Sequence, residues 1–354
     1  MFTPFYILLM TVATTLALFE RNDEKKKNAI EQLVFFAFAT LLLAIAAFRP
    51  VGIDQDSINY VTLFNGQGNP DIEIEPSFYM IVNACKMLTD DARILFIVYA
   101  LLAIPIKAFG MTRASRMWML SLVIWMGYYY IYQDFTQIRV AVSTGIFLFA
   151  LTFHGNGQKS IALLLYLLAI FFHSTAALYL PLLLFGSKPL GITAKSILSI
   201  LPLLGIIINQ LHIDPVMFLP IPQLQDRIEL YETMRDSGIM GDSINTFNIP
   251  FLFKLFIFYF ILWKEKYITE KMPQLALYLK IFVYSICCFL VFSFMPVMAW
   301  RLSEVTGIIE IILFPAIVYA FREEIYGKLI VIAYAFMMVI QGLILTSNTI
   351  NEGF

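Results

Sequence analysis

From Leu33 to Phe48 the chain carries no charged residue, and runs of this kind recur along most of its length. Set against the roughly 20 apolar residues that cross a hydrocarbon core, they give about twelve candidate spans. These lie at 4–20, 30–48, 93–110, 117–133, 139–154, 160–172, 173–187, 194–211, 248–263, 274–296, 302–321 and 328–346. Backbone N–H and C=O groups find no water inside lipid, so segments of this composition must pair their own backbone and fold as helices. Composition points the same way. Of 354 residues, 60% are hydrophobic and 14% charged, with a mean hydropathy of +0.79; soluble globular domains average about 45–50% and about 25%. The expected fold class is an all-α polytopic integral membrane protein with about twelve transmembrane helices, forming one transmembrane domain over 1–354.

The rest of the composition excludes more than it assigns. A net charge of −1 supplies no basic surface for nucleic acid. Cys85, Cys287 and Cys288 have neither disulfide-framework nor metal-site spacing, and no glycine-rich phosphate loop is present. No metal and no cofactor is expected. The basic cluster Arg21, Lys25, Lys26 and Lys27 follows the first apolar run instead of preceding it. That order suits a retained helix with its N-terminus outside rather than a cleaved signal.

Lysine and arginine favour cytoplasmic loops. With the N-terminus outside, the inner loops take Arg21 with Lys25–Lys27, Arg113 and Arg116, Lys159, Lys188, Lys264 with Lys266 and Lys271, and Arg322. The bias alternates correctly only if 160–187 crosses twice. A single span there would reverse every later loop, so two short helices meeting at His173 on the outer side are expected. The two long outer loops are then 49–92 and 212–247. The first holds Asp71, Glu73, Glu75 and an amphipathic stretch, Pro76 to Leu88, suited to the membrane interface.

This topology gathers polar residues at the outer ends of different spans: Arg49, Asp54 and Asp56 after the second, Gln133, Asp134, Gln137 and Arg139 between the fourth and fifth, His173 and Ser174 at the 160–187 junction, and Arg301 and Glu304 opening the eleventh. Arginine forks recognise phosphate bidentately, and several beside an apolar wall suit a lipid-linked phosphate or pyrophosphate. No ATP is available outside the cell, so group transfer there needs a pre-activated donor. Each residue also has a plainer reading. Arg49 can anchor a helix end by snorkelling, Asp54 can serve a local turn, and Arg139 can pair with Asp134. His173 can belong to a helix cap, and Arg301 can pair with Glu304 at i,i+3. Asp54-Gln55-Asp56 resembles the metal-binding carboxylates of nucleotide-sugar transferases, but those donors are cytoplasmic and this loop is outside.

In order along the chain, Arg49-x-x-Gly52-x-Asp54 with Tyr60 and Phe64, Glu75-Pro76-x-Phe78, Gln137-Ile138-Arg139-Val140-Ala141, Phe172-His173-Ser174-Thr175-Ala176 ahead of Leu180-Pro181, and Trp300-Arg301-Leu302 resemble the EpsG family of bacterial exopolysaccharide and Wzy-type O-antigen polymerases. The resemblance runs from about residue 30 to 320 and fails over 212–247. It implies a glycosyltransferase of the integral-membrane (GT-C-like) class with outer loops forming the site. The expected reaction moves a growing glycan from undecaprenyl pyrophosphate to a sugar hydroxyl of a lipid-linked repeat unit, at the outer face of the cytoplasmic membrane, without metal or nucleotide sugar. Asp54 is the expected base, with His173 as the second candidate. Arg49, Arg139 and Arg301 are expected on the pyrophosphates, and Glu75, Gln137, Glu304 and Tyr60 on the sugars or holding the arginines. The implied partners are undecaprenyl-pyrophosphate oligosaccharides, the bilayer and a chain-length regulator. A lipid-linked oligosaccharide flippase or an O-antigen ligase is the alternative.

Overall fold

The structure, a computed structural model, describes residues 2–21, 27, 29–67, 74–211, 233 and 247–351. Nearly all of 212–247, with Asp71 and Glu73, both in loops expected on the outer side, lies outside them. The chain forms two compact units, Met1–Gly186 with Glu310–Phe354, and Ser187–Ile309.

The first unit opens with α1 (Phe2–Phe19) and α2 (Ala29–Ala47), followed by two short loop helices, α3 (Gln55–Phe64) and α4 (Pro76–Lys86). Next come α5 (Ile94–Ala114) and α6 (Trp118–Ile124). The chain then continues as a π-helix over Trp125–Thr136, and α7 (Ile138–Gly155) and α8 (Lys159–Phe172) follow. Two 3₁₀ turns, Ser174–Tyr179 and Pro181–Leu184, close this part. The second unit holds α9 (Ile192–Gln210), α10 (Ile249–Trp263), α11 (Glu265–Lys271), α12 (Leu275–Val291) and α13 (Pro296–Gly307). The chain returns to the first unit with α14 (Glu310–Leu313), a 3₁₀ turn over Phe314–Ala320 and α15 (Glu324–Asn351).

The protein is an all-helical membrane protein among its described residues, and every apolar segment read from the sequence is helical. The expectation of about twelve spans holds only in part. Five helices are long and apolar enough to cross a membrane alone: Ala29–Ala47, Ile94–Ala114, Ile138–Gly155, Ile192–Gln210 and Glu324–Gly342. A sixth is added if the bent pair Pro296–Gly307 and Glu310–Ala320 forms one span. The other segments are shorter. Lys159–Phe172 has 14 residues and at 1.5 Å each rises about 21 Å, short of a core about 30 Å thick.

The sequence dictates how the first unit packs. On α5 and α7, glycines allow backbone to approach backbone: a Cβ on Gly145 would lie 3.0 Å from the Ala103 carbonyl oxygen, and one on Gly110 would lie 3.0 Å from the backbone at Leu148 and Phe149. Small residues at such crossings let membrane helices gain van der Waals contact that lipid cannot offer. Gly145→Val should therefore destabilise the detergent-solubilised protein by about 1–3 kcal/mol through overpacking, read as a lowered midpoint in thermal unfolding. At the end of α1, Glu20 is buried; its carboxylate accepts from the N–H groups of Met119 and Leu120, both at 3.2 Å, and from Lys27 at 2.9 Å. It thereby satisfies donors that the first turn of α6 cannot pair for itself. Lys328 of α15 donates to the Leu18 and Glu20 carbonyls and so ties α15 to the same end of α1.

Candidate functional site

At the other end of the first unit, loop and helix termini bring five of the expected residues into one polar cluster. The loop after α2 turns at Gly52, whose φ of +87° is a left-handed value that favours glycine. Its N–H donates to Ser57 Oγ at 2.9 Å, Ser57 Oγ donates to the Asp54 carbonyl at 2.7 Å, and Ser57 N–H donates to Asp54 Oδ1 at 2.7 Å. Asp54 is therefore the N-cap of α3, the local role open to an aspartate at a helix start. Its other oxygen, Oδ2, is buried and has no hydrogen-bond partner among the described residues. Burial pushes the Asp54 carboxyl up from its ordinary value, against the opposing pull of Arg49 and Ser57.

Arg49 stands beside it and is 3% exposed. Its guanidinium lies 4.2 Å from the Phe96 ring centroid and 5.4 Å from that of Phe135. Nε, Nη1 and Nη2 are all buried, and none has a hydrogen-bond partner among the described residues. Snorkelling would put the charged head in water, and here it is covered. Two rings supply cation–π attraction of about 2 kcal/mol or more in such a desolvated setting. They leave five N–H donors unanswered, each costly to bury unpaired.

The second arginine is held differently. Pro76 starts α4 at a position where its missing N–H costs nothing, and this sets Glu75 just ahead of the helix. Glu75 Oε2 accepts from Arg139 Nη1. Glu75 Oε1 accepts from His173 Nδ1 at 2.9 Å and from Ser174 N–H at 3.0 Å. The Arg139 guanidinium also lies 5.9 Å from the Phe78 ring and 6.0 Å from that of Tyr60. The buried Tyr60 hydroxyl feels Arg139 and, more weakly, Arg49. Three elements far apart in sequence thus meet on one carboxylate: α4, the start of α7 and the break after α8.

Burial would push Glu75 up, but the hydrogen bonds from His173 and Ser174 and the Arg139 charge outweigh it and hold the carboxyl at about 2, against an ordinary 4.5. A depressed carboxyl contributes stability above its unfolded value and loses it as the pH falls through the folded one. The Glu75 contribution should therefore be complete above about pH 4.5 and fade towards about pH 2. Thermal unfolding measured across that window should show a shallower acid dependence in Glu75→Gln than in wild type.

Several expectations are corrected. Asp134 does not pair with Arg139. The π-helix carries it inwards, where it is 3% exposed, and Lys107 Nζ and Trp125 Nε1 both donate to its Oδ2 at 2.7 Å. Neighbouring Gln133 is fully buried and its Oε1 accepts from Thr144 Oγ1 at 2.8 Å. A π-helix adds about a residue per turn to the α-helical repeat, so a segment read as a helix ending at 133 continues to Thr136 with its polar residues turned inside. Gln137 is half-buried at the joint between this π-helix and α7 and makes no side-chain cap bond. Arg301 is exposed and Glu304 buried on α13 of the second unit, so their place relative to this cluster stays an expectation. Sequence reasoning missed the Phe96 and Phe135 rings behind Arg49, and Tyr99, whose hydroxyl is buried without a partner. It also missed Lys107, although a lysine inside an apolar run is itself a sign of an intramembrane partner.

Among the described residues, no three His, Cys, Asp or Glu side chains come together to hold a metal ion. The arrangement offers buried positive charge, an imidazole held through Nδ1, and a carboxylate joining that imidazole to an arginine. Such a set can bind an anion and move a proton beside it.

Neither a curated protein nor a solved structure matches the chain. The model of the EpsG family matches residues 32–353 and so takes in every part of this cluster, and the chain belongs to the EpsG family.

Proposed function

We propose that this protein is a polysaccharide polymerase. It transfers a growing glycan from undecaprenyl pyrophosphate to a sugar hydroxyl of a lipid-linked repeat unit at the outer face of the bacterial cytoplasmic membrane. Family membership supports a polymerase-like glycosyltransferase role in polysaccharide biosynthesis. The observation that carries the finer reading is Arg49: a guanidinium backed by two rings, every nitrogen buried and without a hydrogen-bond partner among the described residues, near an arginine anchored by Glu75. A doubly charged, multidentate anion answers those donors better than a neutral sugar does, and a departing pyrophosphate is such an anion.

In this reading Arg49 and Arg139 stabilise charge that develops on the pyrophosphate as its bond to the sugar breaks. Arg301, Glu304 and Gln137 keep the roles that the family resemblance implies, Arg301 on a pyrophosphate and the other two on sugars. Phe48, 76% exposed, with Met87 at 86% and Leu88 at 79%, leaves apolar surface on the flanking loops where a lipid tail can lie. The base is Asp54 or His173. The outer-face orientation rests on the lysine and arginine bias of the loops.

One observation favours a different reading. The Lys107–Asp134 pair sits inside the helices, as ionisable groups do in transporters, and would suit a flippase for lipid-linked oligosaccharides. Proteoliposomes loaded with fluorescent lipid-pyrophosphate oligosaccharide separate the two. A polymerase lengthens the glycan; a flippase moves it between leaflets and leaves its length unchanged.

A further inference from the structure

We infer that Glu75 is the positioning residue of this site: one carboxylate oxygen fixes His173 so that Nε2 faces the acceptor as its proton acceptor, while the other fixes Arg139 for the leaving pyrophosphate. The inference rests on the polymerase reading and goes beyond it by choosing the base and coupling it to the anion site.

An ionised carboxylate only accepts hydrogen bonds. Glu75 Oε1 lies 2.9 Å from His173 Nδ1, so Nδ1 must carry the hydrogen, and in neutral imidazole the lone pair then sits on Nε2. Ser174 N–H donates to the same oxygen at 3.0 Å, fixing that oxygen from a second direction and the ring with it. His173 itself has extended backbone, φ −156° and ψ 124°, at the break between α8 and the 3₁₀ turn. The break keeps the imidazole out of a helical face and only half-buried, its side chain 18% exposed. Asp54 is placed less well for the same task. Its Oδ1 is engaged in capping α3, and its charge acts on Arg49, so it fits as a partner that keeps Arg49 in place.

The step balances. The acceptor hydroxyl gives its proton to His173 Nε2 as its oxygen forms a bond to the anomeric carbon of the donor glycan. The bond from that carbon to the pyrophosphate oxygen breaks, and its electron pair leaves with the pyrophosphate facing Arg139 and Arg49. The imidazolium that forms lies against the Glu75 carboxylate, which stabilises it, and later loses its proton to solvent.

Asparagine overlays the Nδ1 side of histidine, so His173→Asn keeps a donor to Glu75 and deletes only the Nε2 base. Asparagine is also a good N-cap, so Asp54→Asn keeps α3 capped. Gln at 75 can still accept from His173 and Ser174, but it turns an amide N–H₂ towards Arg139. The experiment measures initial rates of glycan extension on a defined lipid-pyrophosphate oligosaccharide, with thermal unfolding of each variant. Wild type must form a ladder; if it does not, the polymerase reading itself fails. Given a ladder, His173→Asn should lose about 10²–10⁴-fold in kcat, the usual worth of a general base. Glu75→Gln should lose kcat with KM held, and Asp54→Asn should lose at least about tenfold less in kcat than His173→Asn does. His173→Asn at wild-type rate, or Glu75→Gln with kcat unchanged, overturns the inference. Should His173→Asn fail to fold, ¹⁵N NMR of wild-type protein labelled at histidine decides. Hydrogen on His173 Nδ1 supports the inference, and hydrogen on Nε2 alone overturns it.

Discussion

Arg139→Ala is expected to cut the rate of glycan extension by about 10²–10³-fold, the cost of removing one fixed donor aimed at developing negative charge, while leaving the protein folded. Arg139 is held at both ends of its job. Nη1 is bonded to Glu75, and Nε is buried without a partner, so donor capacity remains for a ligand. Removing the guanidinium leaves the Glu75 carboxylate with His173 and Ser174 N–H, so no buried charge is stranded. Arg139→Lys should also fail, by more than tenfold, because an ammonium is a point charge that cannot serve the carboxylate and a phosphate with one planar fork. Gel analysis of lipid-linked products, with the unfolding midpoint as control, checks both variants. Extension at wild-type rate in Arg139→Ala would remove this arginine from the pyrophosphate site.

Lys107→Met should have the largest effect on stability. Lys107 and Asp134 side chains are both 0% exposed and meet at 2.7 Å. Desolvating two charges is expensive and their attraction roughly repays it, so an intact buried pair adds little, yet deleting one partner leaves an uncompensated charge and costs about 3–5 kcal/mol. Trp125 Nε1 would remain on Oδ2, while Oδ1 already has no partner. The double variant Lys107→Met with Asp134→Leu should regain most of the loss, because no charge is then buried. Equilibrium unfolding in mixed micelles reads the cycle. A single variant as stable as wild type would mean that the pair is not the ionic lock of this helix layer.

The same residues show what could be read from sequence. Apolar runs bounded by Asn, Gly, Pro and charge gave the helical segments closely, because lipid leaves the backbone no alternative. Glu75-Pro76 and Asp54-x-x-Ser57 carry local start signals, and both sit at helix starts. The sequence order of Glu75, Arg139 and His173 says nothing of their meeting on one carboxylate; only packing of α4, α7 and α8 does that. Asp134 was misplaced because a π-helix obeys a different repeat from the one used to end the span. The rings on Arg49 could not be read at all, since phenylalanine in an apolar run carries no signal of which side chain it will cover. Lys107, the single lysine within 93–110, was missed although its place carried a signal: an isolated charge within a span has a partner to be sought in the neighbouring helices.

The central claim is that the chain lengthens a lipid-linked glycan. Its most direct test gives the purified protein in detergent one chemically defined undecaprenyl-pyrophosphate oligosaccharide, with no nucleotide sugar, and separates the products by size. The expected product is a ladder spaced by one repeat unit, with undecaprenyl pyrophosphate released at each step. Recovery of the oligosaccharide unchanged by protein that is folded and inserted, or its transfer only to a lipid A acceptor, would contradict it.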